Sequence, residues 1–481
     1  MKESARDIHF FNTLTRKKER FVPLEKGKVK MYTCGPTVYD FSHIGNFRAF
    51  IFEDLLKRWL EYRGFKVDHV MNLTDVDDKT IAASRELGTS LTEYTDRYVN
   101  AFFEDLAKLN VEKADHYPKA TEHIPEMVAL IKTLTEKGYA YRGKDESLYY
   151  DISKFPEYGR LSGVKMSELK TGARVKTDEY AKEEAHDFAL WKAWDNADGD
   201  VYWDTELGKG RPGWHIECSA MSMKYLGETL DIHCGGVDNL FPHHENEIAQ
   251  SEAATGKKFV NYWLHNEHLL VEGKRMAKSF HNYYTLDDLM KKGYDPKTVR
   301  YLLLSTHYRQ QFNFTFEGLE AAKGAIDRLR NFIYRVDDAE GKSCAEGVEP
   351  IIDRLEREFG EAMDDDLNIG VALASLFDFV REINNLLDAH MVSRQEATQI
   401  QTSIRRIDSV LGVIGEITAK QALPKDVEEL IREREEARKA KNWERADKIR
   451  EELRTMGVTL EDTPEGVRWR MKPRAAEPAD S

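Results

Sequence analysis

The stretch Val29-Lys-Met-Tyr-Thr-Cys-Gly-Pro-Thr-Val-Tyr-Asp-Phe-Ser-His-Ile-Gly-Asn46 decides how this chain folds. Residues 29–33 form a β-prone run that Gly35 and Pro36 bring to a stop. Ser42 is the expected N-cap of a helix in which Ile51, Leu55 and Trp59 recur at fourfold spacing, with Gly64 just past its end. Residues 65–73 then read as a second strand. Strand, helix and strand over this length predict a parallel sheet with a right-handed crossover. In such sheets a ligand sits beyond the carboxyl ends of the strands, beside helix N-termini. Residues 34–46 and 72–78 are therefore expected at the site.

Outward from this unit, residues 110–210 have the texture of helices and loops, including a helical face of Met127, Leu130, Ile131 and Leu134 that ends at Gly138. This reads as an insertion between two halves of the sheet. Helical periodicity dominates from Glu317 to Val413, and a charged segment then leads into a β-prone stretch at 458–469. The expected architecture is α/β: a Rossmann-type parallel-sheet catalytic domain with an inserted domain, followed by an α-helical bundle and a small C-terminal α+β domain. Its segments are 1–110 and 213–316 for the two sheet halves, 111–212 for the insert, 317–418 for the bundle and 419–481 for the C-terminal domain. Residues 473–481 are expected to fray.

Composition supports this. A chain of 481 residues exceeds what one core serves, so roughly two to four domains are expected. Hydrophobic residues at 41% and charged residues at 32% are those of a globular protein rather than a disordered one. No apolar run reaches membrane-spanning length, and residues 1–26 lack the pattern of a cleaved leader, so a cytoplasmic location is expected. The net charge of −14 weighs against nucleic-acid binding in sum, but Lys and Arg concentrate at 432–454. The many Glu residues there equally suit a solvated, salt-bridged helix.

The four cysteines, Cys34, Cys218, Cys234 and Cys344, lack the spacing of a disulfide framework. His243 and Glu247 follow Pro242 at i, i+4, which places both on one face of a helix, although such a pair is more often an ordinary helix surface. Adding Cys34 and Cys218 gives two thiolates, an imidazole and a carboxylate, a credible tetrahedral zinc set. Spacing alone does not bring these four together.

His43-Ile-Gly-Asn46 resembles the HIGH signature of class I aminoacyl-tRNA synthetases, and Arg275-Met-Ala-Lys-Ser279 resembles their KMSKS loop. Tyr32-Thr-Cys-Gly-Pro-Thr-Val-Tyr39, Asn72-Leu-Thr-Asp-Val-Asp-Asp-Lys79, Gly213-Trp-His-Ile-Glu-Cys-Ser-Ala220 and Phe241-Pro-His-His-Glu-Asn-Glu-Ile-Ala-Gln250 are similar to the cysteinyl-tRNA synthetase family in particular. The likeness runs from about residue 21 to 470.

The resemblance implies one zinc ion per chain on Cys34, Cys218, His243 and Glu247, bound to the substrate thiol. Sulfur is a far better zinc partner than a serine hydroxyl, so no editing domain is needed. It implies ATP with Mg2+ as a substrate, contacted by His43, Gly45, Asn46, Arg275, Met276, Lys278 and Ser279. Among these, His43, Asn46 and Lys278 would stabilise charge in the transition state. Trp214, His215 and His233 would line the amino-acid pocket, with Thr74 and Asp238 holding the amine or adenylate. Each has a plain alternative as core aromatic, satisfied histidine or turn residue. Arg438, Trp443 and Asp447 match positions that read the anticodon of tRNA(Cys), against the alternative of a charged helix with Trp443 packed on its neighbour.

Departures from the signatures are Asn46 for the last His of HIGH, and Arg275 and Ala277 for Lys and Ser in the KMSKS loop. Asn368-Ile-Gly370 replaces a more usual Asn-Thr-Pro at a helix start. Cys234 stands at a usual glycine close to His233, where a thiol near zinc could compete as a ligand or be easily oxidised. The implied protein is a monomer acting on L-cysteine, ATP and tRNA. Its rivals are a ligase joining cysteine to a sugar amine, disfavoured by the long C-terminal region, and a non-catalytic tRNA-binding paralogue, disfavoured by the intact site residues.

Overall fold

The structure, a computed structural model, describes residues 7–164, 187–276, 280, 282–343, 347–415, 425–463 and 466–471. Ala277, Lys278, Ser279, Cys344 and the expected frayed end at 473–481 lie outside the described residues. The chain divides into two units, Met1–Gly415 and Glu416–Ser481.

The first unit is built on the predicted parallel sheet. Strand β1 (Lys28–Thr33), helix α1 (Ile44–Tyr62) and strand β2 (Lys66–Met71) form the first crossover. Helix α2 (Trp214–Leu226), strand β3 (Leu230–Gly236), helix α3 (Glu245–Thr255) and strand β4 (Val260–Asn266) form the second half. The sheet order is β4-β3-β1-β2, with every pair parallel. The chain leaves β1 toward one edge and β3 toward the other, so the carboxyl ends of β1 and β3 flank the crevice where ligands bind in such sheets.

Helix α1 starts one residue later than expected. Its N-cap is His43 rather than Ser42: the His43 ring accepts from the Gly45 and Asn46 N–H groups, and the Asn46 side chain takes the His43 N–H in return. An imidazole nitrogen does here what a serine oxygen does in ordinary capping boxes.

Residues 110–210 are not only helices and loops. The helix Ile124–Glu136 buries Met127, Leu130, Ile131 and Leu134 as its periodicity requires. It is accompanied, however, by a five-stranded antiparallel sheet of Ala140–Arg142, Leu148–Tyr150, Phe188–Ala193, Gly208–Pro212 and Trp203–Thr205, in that spatial order. Three of these strands are three residues long, too short for alternation to register in the sequence. The last strand in chain order, Gly208–Pro212, runs straight into α2 and so carries Trp214 back to the main sheet.

Four helices, Phe316–Asp337, Glu349–Asp364, Ile369–Asp388 and Arg394–Leu411, make up the predicted bundle. Asn368 caps the third, accepting from the Val371 N–H.

A buried ion cluster ties the bundle to α1. Arg300, on the helix Pro296–Leu304, meets Asp54 of α1 at 2.5 Å, and both side chains are fully buried. Arg58 also bonds Asp54, at 2.8 Å. The remaining guanidinium donors go to the carbonyls of Leu411, Leu109, Asn110 and Ser409. Because every donor has a partner, removing one charge costs far more than the pair itself contributes. Arg300→Leu is expected to destabilise the first unit by roughly 3–5 kcal/mol, read as a lower urea midpoint at unchanged slope. A loss below about 1 kcal/mol would show the cluster to be dispensable.

Candidate active site and metal centre

Cys34 follows β1 directly. Gly35 must be glycine, because a Cβ there would lie 1.8 Å from the Asn72 carbonyl oxygen. Cys218 sits on the second turn of α2. His243 lies in the irregular helical turn Leu240–His244, broken at the extended Phe241, which runs into α3. The i, i+4 relation survives this irregularity: His243 Nε2 lies 3.1 Å from Glu247 Oε1.

Donor atoms of Cys34, Cys218, His243 and Glu247 all lie within 4.8 Å of one another, and all but Cys34 are buried. Ligands about 2.0–2.3 Å from a tetrahedral zinc stand roughly 3.3–3.8 Å apart, so this set fits the metal in type and spacing. Cys34 and Glu247 also belong to a second group, with His233 and His244, of the same compactness. Cys34 Sγ is 3.3 Å from His244 Nε2, and Glu247 Oε2 is 3.0 Å from His233 Nε2.

Charge in this pocket is shared unevenly. Burial pushes the Glu247 carboxyl up, but the adjacent His233 and His243 hold it at about 2. Burial pulls His243 down, yet Cys218 and Glu247 raise it to about 10. The Cys218 thiol falls to about 6 against its burial, chiefly through the hydrogen bond from Cys34, whose own thiol is correspondingly raised. The result is a thiolate and a carboxylate around an imidazolium. Three more histidines, His215, His244 and His265, are lowered by burial and by neighbouring rings. They serve as neutral props: His215 Nδ1 lies 2.8 Å from His243 Nδ1, and His244 Nδ1 lies 2.8 Å from His265 Nε2. Such outer partners fix the orientation of metal-ligating rings.

Trp214, half-buried, stacks on His243 at 4.3 Å, and His233 stacks on Trp263 at 4.5 Å. Thr74 is buried and donates to Glu217 Oε2 at 2.9 Å. Asp238 is exposed and leans back over Gly236, where a Cβ would meet its Oδ1. Cys234 does not join either donor group. It is fully buried one residue from His233, with Glu53 of α1 as its charged neighbour, and burial raises its thiol.

The N-terminus of α1 opens on the same crevice. Gly45 is hemmed in by the His43 ring at 2.9 Å and by Met276 at 3.0 Å from an added Cβ. The segment after the KMSKS-like loop is stitched to α1, since Ile44 N–H donates to the Tyr284 carbonyl at 3.0 Å. Arg275 is exposed and pairs with Leu270 in a short antiparallel ladder.

The second unit contains the helices Lys425–Lys439 and Trp443–Thr455 and a hairpin of Val458–Thr463 with Gly466–Met471. Val427, Ile449, Leu453, Val458 and Leu460 form its core. Trp443 is 57% exposed, so it is not packed as a core aromatic. Asp447 is exposed one turn further along, and Arg438 is half-buried on the preceding helix.

A family model for the class I (C) tRNA synthetase catalytic domain matches residues 20–324. A DALR domain matches 358–415, and a cysteinyl-tRNA ligase anticodon binding domain matches 420–470. The cysteine–tRNA ligase of Chlamydia muridarum is 51% identical over 481 residues, covering 96% of this chain and 99% of that one. That of Protochlamydia amoebophila is 50% identical, covering 96% and 97%. The chain belongs to the cysteine–tRNA ligase family. Its fold matches that of Mycobacterium tuberculosis methionyl-tRNA synthetase in complex with methionyl-adenylate, at 13% identity and a TM-score of 0.58 over 80% of this chain and 90% of that one.

For this family member, the sequence reading missed His244, His265 and Glu217. The His243-His244 doublet was the available signal for the first; nothing in spacing marks the other two. In the metal-free protein, thiolate absorbance is expected to rise with a midpoint near pH 6 and to disappear in Cys218→Ser. Onset only at ordinary thiol values would contradict the ionised Cys218.

Proposed function

We propose that this chain activates L-cysteine with ATP, forming cysteinyl-adenylate and pyrophosphate, and transfers cysteine to the 3′ end of tRNA(Cys) with release of AMP. It is taken to act as a cytoplasmic monomer holding one zinc ion on Cys34, Cys218, His243 and Glu247. The observation that carries this reading is the meeting of those four donors beside the α1 N-terminus, in the crevice between β1 and β3. Two thiolates favour this set over the one containing His233 and His244, because soft ligands suit zinc. When bound, zinc supplies a sulfur-selective contact that distinguishes a thiol from a hydroxyl or methyl group.

The chain's own residues do the rest by orientation and charge. His43 Nδ1 accepts two backbone N–H groups, so the neutral ring carries its proton on Nε2 and can donate it to a phosphate oxygen. Asn46 spends its oxygen on the His43 N–H, which leaves its amide N–H groups as donors. Lys278, with Arg275, Met276 and Ser279 beside it, brings positive charge to the phosphates of Mg2+–ATP as negative charge shifts toward pyrophosphate. Trp214, His215 and His233 shape the amino-acid pocket, while Asp238 and Thr74 hold the amine and adenylate. On the second unit, Trp443 stacks an unpaired anticodon base, with Arg438 and Asp447 bonding base edges.

Amino-acid-dependent ATP–pyrophosphate exchange tests this. Cysteine is expected to support exchange at least about a hundredfold better than serine or alanine, beyond what an apolar pocket achieves with a near-isostere. Cys218→Ser is expected to lose both bound zinc and exchange, and Lys278→Ala to lower exchange about 10²–10³-fold. Equal exchange with serine, or none with cysteine, would overturn the proposal.

A further inference from the structure

Beside the α1 N-terminus lies a surface of exposed aromatic side chains. Tyr39 and Phe41 are 38% and 39% exposed, although both stand within four residues of the His43 cap. Scattered exposed aromatics need no explanation, but here each ring carries a cation. Lys79 Nζ sits 5.1 Å from the Tyr39 ring centroid, and the Arg97 guanidinium sits 5.6 Å from that of Phe41. Phe280, next to the KMSKS-like loop, is 61% exposed.

The rings are held in place by their backbone. Tyr94 donates its hydroxyl to the Tyr39 carbonyl at 2.7 Å, and Tyr283 donates to the Phe41 carbonyl at 3.1 Å. The Tyr283 ring in turn meets His43 edge-on at 4.9 Å. Asp40, the acid between the two rings, accepts the Phe41 N–H at 2.8 Å. Phe41 also meets Tyr98 edge-on at 5.1 Å, so the patch sets two part-exposed rings beside positive charge, on a backbone held by Tyr94 and Tyr283.

We propose that Tyr39 and Phe41 form a stacking platform for the unpaired nucleotides at the 3′ end of the tRNA. This rests on the ligase reading, since that reaction must bring a terminal ribose to the adenylate. Aromatic rings stack bases regardless of sequence, and adjacent Lys and Arg neutralise the phosphates between them. A purely apolar protein partner has no use for a cation over each ring.

The probe is an RNA hairpin with several unpaired 3′ nucleotides, one replaced by 2-aminopurine, titrated with the full chain. Stacking quenches its fluorescence. The double variant Tyr39→Ala/Phe41→Ala is expected to bind about tenfold or more weakly, with quenching lost and kcat/KM for tRNA charging reduced in step. Tyr39→Phe/Phe41→Tyr, which keeps both rings, is expected to retain binding. Cysteine-dependent exchange, measured on both variants, separates a loss confined to RNA from a general loss of activity. Undiminished binding and charging in the alanine variant would overturn the platform, as would an equal loss of exchange. Absence of exchange in the unaltered chain would count against the ligase reading instead, and quenching still decides the platform by itself.

Discussion

The placement of four donor side chains around one point depends on parallel pairing of β1 with β3. Cys34 hangs from the end of β1, Cys218 from α2, and His243 and Glu247 from the turn entering α3. The order β4-β3-β1-β2 brings these three segments to one crevice, because β1 and β3 are adjacent while their crossovers diverge. The insert does not disturb this. It leaves after β2 and returns through the strand Gly208–Pro212, which delivers Trp214 against His243.

Holding these groups in a dry interior is costly unless each is paired. The chain meets this by nesting neutral rings around charged ones. Glu247 takes hydrogen bonds from both His233 and His243, and His243 is backed by His215. His244 leans on His265, which reaches Thr13 at 2.8 Å. Because burial lowers His215, His244 and His265, positive charge concentrates on His243, beside the anions that need it. A divalent cation entering the four-donor set would take over that neutralising role.

The βαβ unit was legible because helix period, glycine and proline punctuation act locally. The bundle was legible for the same reason, since its helices run 16–22 residues and bury one face each. Residue type made the metal donors visible, but their meeting is a property of sheet order, which spacing does not encode; family resemblance supplied it. The insert's sheet stayed hidden because three-residue strands carry too little pattern. The cap at His43 went unseen for another reason: histidine is not an ordinary capping residue, and its ring works here only with Asn46 reciprocating. His265 acts through tertiary contacts alone, so nothing near it in sequence marks it, and Glu217, although inside the Gly213–Ala220 motif, shows its role only through its contact with Thr74.

The central claim is that two sulfurs and two lighter donors hold one zinc in this crevice. X-ray absorption at the zinc edge of the loaded full chain tests it directly. The account predicts two sulfur scatterers near 2.3 Å and two nitrogen or oxygen scatterers near 2.0–2.1 Å, with a third sulfur when L-cysteine is added. A single sulfur in the protein alone would point to the group containing His233 and His244, and no gain of sulfur with cysteine would contradict thiol selection by the metal.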